Sequence, residues 1–169
     1  QLKDFEREES KERKISKNLV NTIKTIPKNA HPMDVARTAV SIMGLEDKDT
    51  RNNSPKANMR KVMRIFAKTP VALAAFYRAR RGKKIIPPKK KLSFSENFFY
   101  MCFGKVPNKD IVKAFDVSLI LYAEHSFNVS TFTARTITSS LSDIHGAITG
   151  AIASLKGPLH GGANEEVMH

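Results

Sequence analysis

Apolar residues recur three and four positions apart along most of this chain, and runs that alternate apolar with polar residues for long enough to make strands are scarce. Ile15, Leu19, Ile23 and Ile26 form one stripe, Met59, Val62, Met63 and Phe66 a second, and Ile111, Phe115, Leu119 and Tyr122 a third. A period of 3.6 residues gathers each set on one side of a helix, whereas a strand would scatter it over both faces of a sheet. The chain is therefore expected to be all-α. Its 169 residues are enough for one domain, 1–169, with a sizeable core.

Breaks fall from Pro27 to Pro32, from Gly44 to Pro55, from Arg81 to Pro88 and from Gly104 to Asn108. Asp34 is expected to cap the helix that follows the first break. The polar tract Glu46 to Asn58 reads as a surface loop, and no internal repeat is evident. Small residues concentrate from Ser130 to Ser154, where Gly146 and Gly150 stand four apart beside Ala147, Ala151 and Ala153. Such a face lets helices approach closely, within a subunit or across a dimer, with Ile144, Ile148, Ile152 and Leu155 supplying the apolar contact.

Charge invites a separate reading, since 29 Lys and Arg against 16 Asp and Glu leave a net +13. The excess is confined to the first 91 residues, which hold 24 basic and 9 acidic side chains. It peaks at Arg78, Arg80, Arg81, Lys83, Lys84, Lys89, Lys90 and Lys91, around Gly82 and the Pro87-Pro88 pair. A solvated loop is the first reading, contact with the phosphates of a nucleotide-containing cofactor the second, and a nucleic-acid patch the third. The run lacks interleaved aromatics for stacking bases, which counts against the third.

One cysteine, Cys102, excludes an intramolecular disulfide and suits a reducing, cytoplasmic setting, as a buried thiol among Phe98, Phe99, Tyr100 and Phe103. The most apolar stretch, Val117 to Tyr122, is far shorter than the roughly 20 residues a bilayer requires, so no membrane partner is expected.

The chemistry-bearing residues lie late in the chain. In Lys156-Gly157-Pro158-Leu159-His160-Gly161-Gly162-Ala163-Asn164-Glu165 a histidine stands between a helix-ending Gly-Pro and a pair of glycines that permit a tight turn or close approach to a ligand. Alone, such a histidine is more often merely exposed than catalytic. A second motif, Ala123-Glu124-His125-Ser126-Phe127-Asn128-Val129-Ser130-Thr131-Phe132-Thr133-Ala134-Arg135, precedes it. Read alone, Asn128 and Ser130 are helix-capping residues. His31 at a helix entry reads as structural or peripheral to the site, His145 as packed or interfacial, and His169 ends the sequence. No two histidines are spaced as ligands on one helical turn, so no metal is expected.

Together the two motifs, the stretch Ser139-Ser140-Leu141-Ser142-Asp143-Ile144 and His31-Pro32-Met33-Asp34-Val35-Ala36-Arg37-Thr38 resemble the citrate synthase family, most closely its bacterial branch that holds 2-methylcitrate synthases. The resemblance covers most of the chain and implies part of the family's large helical domain, without the small domain. It implies an acyltransferase that condenses acetyl-CoA or propionyl-CoA with oxaloacetate, works as a homodimer, and has no permanently bound cofactor. His160 matches the catalytic histidine that hydrogen-bonds the thioester carbonyl, His125 the oxaloacetate-binding histidine with Asn128 in the same turn, and Ser130 a serine that steadies the catalytic histidine. The base, a further histidine and the carboxylate-binding arginines would lie beyond this chain, and the coenzyme A contacts are unassigned. Residues 1–169 alone are therefore expected to be inactive. If His160 precedes a helix N-terminus, the dipole there favours its neutral, donating form. The competing reading is a basic nucleic-acid-binding or scaffold protein built on a degenerate synthase segment.

Overall fold

A computed structural model describes residues 1–123 and 127–163. Among them are eight α-helices and no strand. The chain divides into two compact units, residues 1–30 with 66–125, and residues 31–65 with 126–169.

The first unit holds α1 (Leu2–Glu12), α2 (Lys17–Thr25), the later part of the 25-residue helix α4 (Pro55–Ala79), α5 (Phe94–Phe103) and α6 (Lys109–Tyr122). Ser16 caps α2 by accepting the Leu19 N–H, and Leu19 and Ile23 one turn apart are both 1% exposed. Burying each contributes on the order of 1.5–3 kcal/mol. Val71 and Ala74 of α4 pack on Met101 and Cys102 of α5, with Ile15, Tyr77, Phe98 and Tyr100 around them. Burial pushes the Cys102 thiol up to about 11, against the opposing pull of Arg78 and Arg81. Of the aromatics expected around this thiol, Phe98 and Tyr100 do so, while Phe99 and Phe103 stack on each other.

The basic cluster is only partly solvated. Arg78 donates from Nη1 to the Cys102 carbonyl and from Nε to the Lys84 carbonyl, Arg81 lies 3.7 Å from the Tyr77 ring centre, and Lys89 lies 4.2 Å from that of Tyr100. Arg13 forks onto the Glu9 carboxylate and donates to the carbonyls of Lys89 and Leu92. These bonds hold down the loop that composition alone marks as exposed.

The three apolar stripes fare differently. The first supplies Leu19 and Ile23 to the interior, but Met59, Val62 and Phe66 remain 68, 43 and 43% exposed. Helix α4 instead buries Ala57, Lys61, Ile65, Ala67, Val71 and Ala72, three of them alanines. In the third stripe Phe115 is half-buried and packs on Phe98 and Phe99, whereas Ile111, Leu119 and Tyr122 lie exposed.

The second unit contains α3 (Pro32–Glu46), the start of α4, α7 (Val129–Ser139) and α8 (Ile144–Leu155), with α8 packed on both α3 and α7. Here the chain differs from expectation at the first turn of α3. His31 is the N-cap, its Nδ1 accepting the Met33 N–H at 3.1 Å, and Asp34 lies inside the helix. Pro32 at the first helical position leaves the cap to the residue before it. The small-residue face of α8 packs as expected, because a Cβ on Gly150 would collide with the Ile137 side chain of α7.

The loop from residue 47 to residue 54 is fastened rather than merely solvated. Arg64 binds Asp47 and Asp49, Arg60 binds Asp49, and the fully buried Lys61 ammonium donates to the carbonyls of Thr50 and Asn52 and to Asn53 Oδ1. A buried ammonium persists only with such partners.

Candidate active site

Helix α7 and the turn after α8 bring two sequence-distant groups together within the second unit. Asn128 caps α7, accepting the Thr131 N–H at Oδ1 (2.6 Å), which sets Ser130 in the first helical turn. Helix α8 stops at Leu155, and the N–H of His160, thirty residues after Ser130, bonds the Gly157 carbonyl at 2.9 Å, closing a turn that carries the imidazole. His160 Nε2 then lies 3.0 Å from Ser130 Oγ and 3.3 Å from the Ser130 backbone N–H.

The tautomer follows from the donors. A backbone amide can only donate, so Nε2 accepts from it and the neutral ring carries its proton on Nδ1. Ser130 Oγ also lies 3.1 Å from Asn128 Oδ1, so its hydroxyl hydrogen has two acceptors within reach. Asn128 thus both caps the helix and touches the residue that holds the imidazole. With Nε2 accepting from α7, the other nitrogen of the neutral ring carries the proton and is a donor.

The paired glycines serve the chain itself. A Cβ on Gly161 would come within 2.6 Å of the Leu155 carbonyl oxygen, and one on Gly162 within 2.8 Å of that of Lys156, so the turn folds back onto the end of α8. Helical backbone is described at Gly162 and Ala163. Asn164 and Glu165, the end of the motif that begins at Lys156, lie outside the described residues, as do His125 and His169.

An additional pair has no local signal in the sequence. Lys156, the C-cap of α8, bonds Asp34 in the first turn of α3 at 2.7 Å, 122 residues away. The Lys156 hydrogen bond holds the Asp34 carboxyl below its ordinary value, with burial opposing and Arg37 assisting. His145 is 2% exposed, with Nε2 3.5 Å from Asp47 and Nδ1 3.6 Å from Asp143. Among the described residues, no three His, Cys, Asp or Glu side chains are grouped to hold a metal ion, and no helix is long and apolar enough to cross a membrane.

The family model for the C-terminal domain of citrate synthase matches residues 1–169. The chain belongs to the citrate synthase family. It is 48% identical to a citrate synthase of Mycolicibacterium smegmatis over 169 residues, all of this chain and 45% of that protein. It is 49% identical to a 2-methylcitrate synthase of Mycobacterium tuberculosis over 165 residues, 98% of this chain and 42% of that one. Among solved structures, citrate synthase from Pyrobaculum aerophilum superposes with a TM-score of 0.90 at 34% identity, over 98% of this chain and 43% of that chain. The chain thus spans under half the length of these citrate synthase relatives. A family match across every residue leaves the nucleic-acid or scaffold reading unfavoured. Relatives of both names match almost equally, so overall similarity does not select the acyl group.

Proposed function

We propose that this chain supplies part of the large helical domain of a synthase that condenses acetyl-CoA or propionyl-CoA with oxaloacetate, and that His160 stabilises the enol of the acyl thioester. The observation that carries this reading is the bracket on His160 Nε2, which Ser130 engages through both its backbone N–H and its hydroxyl. An enolate oxygen forming in the site needs a fixed donor, and one such group is typically worth about a hundred- to thousandfold in rate.

In this reading an aspartate elsewhere in the enzyme takes a proton from the acyl α-carbon, while His160 Nδ1–H bonds the thioester oxygen as it gains charge. The α-carbon then attacks the oxaloacetate ketone, forming the carbon–carbon bond, and the ketone oxygen ends as a hydroxyl. Water cleaves the thioester, releasing the coenzyme A thiol and leaving citrate or 2-methylcitrate. His125 and Asn128 face oxaloacetate. No permanently bound cofactor enters, the acyl-CoA being a substrate. The two units belong to one large domain, and the protein acts in the cytoplasm as a homodimer.

The test is a chimaera in which residues 1–169 replace the matched segment of the Mycolicibacterium smegmatis citrate synthase. His160→Gln should lower kcat at least a hundredfold and leave the affinity for oxaloacetate within twofold. Unchanged turnover would overturn the assignment. Comparing kcat/KM for the two acyl-CoA substrates then fixes the acyl group, since one methylene is worth only ~1–3 kcal/mol. Residues 1–169 by themselves should show no turnover.

A further inference from the structure

A cleft of about 580 Å³ in the first unit, far from the elements that carry His160 in sequence, joins an aliphatic lining to a ring of cations. Ile15 just before α2, Val20 within it, Val71 of α4, and Ile85 and Ile86 of the loop after α4 line it, with the Pro87-Pro88 pair beside them. Lys14, Lys24, Lys83 and Lys84 also line it. All four lysines are exposed, and among the described residues none has a carboxylate partner or a side-chain hydrogen bond.

The surrounding charges are spent differently. Arg13 pairs with Glu9, Arg78 bonds two carbonyls, and Arg80, Arg81 and Lys89 lie over aromatic rings. Because Arg78 Nε holds the Lys84 carbonyl and the Lys83 N–H bonds the Arg78 carbonyl at 2.9 Å, the segment that bears Lys83 and Lys84 is fixed in place. Apart from Lys90 and Lys91, which lie outside this cleft, the basic run therefore separates into structural cations and two lysines that meet Lys14 and Lys24 at one apolar opening.

We propose that this cleft binds a free single-chain acyl carboxylate, its hydrocarbon chain against the isoleucines and valines and its carboxylate among the four lysines. The size falls within the range of small-molecule sites. The lining offers no aromatic face on which a nucleobase could stack, which disfavours nucleotides. An apolar wall beside four unpaired like charges wants a ligand that is apolar at one end and anionic at the other.

Dodecanoate is the probe, titrated into residues 1–169 and into the chimaera by calorimetry and by methyl-resolved NMR. Saturable one-to-one binding is expected, with shifts confined to the methyls of Ile15, Val20, Val71, Ile85 and Ile86. The exposed double change Lys83→Gln, Lys84→Gln should weaken it at least fivefold, Ile85→Glu should abolish it, and Lys109→Gln with Lys113→Gln on α6 should leave it unchanged. Dodecyl maltoside, with the same chain and no charge, should not compete. The proposal is overturned by absent or non-saturable binding, by shifts spread over the surface, by indifference to Lys83 and Lys84, by equal loss in the α6 control, or by binding to the isolated chain but not to the chimaera. Turnover by the chimaera is read separately, so failure here leaves the synthase reading intact.

Discussion

Lys156 Nζ lies 2.7 Å from Asp34 Oδ2, so the last residue before the His160 turn is tied to the first turn of α3. Both side chains are partly exposed, at 36 and 30%, so the pair adds little to global stability. Its effect is on position, because His160 follows Lys156 by four residues and is held at its other end by Ser130. In the chimaera, Lys156→Met should lower kcat about tenfold with KM for oxaloacetate within twofold, below the roughly hundredfold that a 1 Å misplacement of a reacting group can cost. Lys156→Arg, which keeps the charge in a different shape, should recover part of the loss. Steady-state kinetics on the three proteins decide it, and equal kcat in all three would show that the turn needs no such tie.

Removing only the hydroxyl of Ser130 tests the other end of the same turn. In Ser130→Ala the backbone N–H to Nε2 survives, so the tautomer should persist while the ring gains freedom to rotate. We expect kcat of the chimaera to fall, by up to about 100-fold. The ¹⁵N shifts of His160 should still report a protonated Nδ1 and an unprotonated Nε2. A ring that switches tautomer in this variant would show that the amide is not the deciding donor.

His145 should make the second unit sensitive to mild acid. Burial pushes its imidazole below the usual histidine value, Asp47 and Asp143 oppose that, and Lys61 and Arg64 reinforce it. The unfolded chain then takes up the proton first as pH falls through about 6.5. Stability is complete above that point and declines below it. Asp47 and Asp49 do not confound the window. Burial raises Asp47 but Arg64 wins, and Arg60 and Arg64 hydrogen bonds lower Asp49, so both stay ionised down to their unfolded range near pH 4. Melting temperatures of residues 1–169 should drop between pH 7.5 and 5.5. His145→Gln and His145→Phe, whatever their absolute stability, should flatten that slope.

At Gly150 the helices leave no room. Gly150→Ala sets a methyl against Ile137, and a crowded core of this kind typically loses about 1–3 kcal/mol. Pairing it with Ile137→Val should restore part of the loss in urea unfolding, since the smaller side chain withdraws the colliding methyl. Additive losses in the double variant would place the cost elsewhere.

Helix identity was largely written in the chain, because a cap needs only neighbours. Asn108, Asn128 and Asp143 each stand one residue before a helix and accept an N–H two or three residues on. Even so, a local signal misled at α3, where Pro32 hands the cap to His31 and frees Asp34 for a partner 122 residues away. The stripe Met59, Val62 and Phe66 had the right period and the wrong side. Periodicity defines an apolar face without saying what covers it, and α4 turns its alanines inward.

The order of residues alone determined that this protein is helical, where its turns fall, and that His160 and Ser130 are the side chains to watch, since these depend on spacing and on motif. Only the tertiary structure decided that Ser130 meets Nε2 and so leaves the proton on Nδ1, that Lys156 reaches Asp34, and that four lysines surround one apolar cleft. Contacts across thirty or a hundred residues arise from how helices pack, and packing is set by the shapes of all the faces at once.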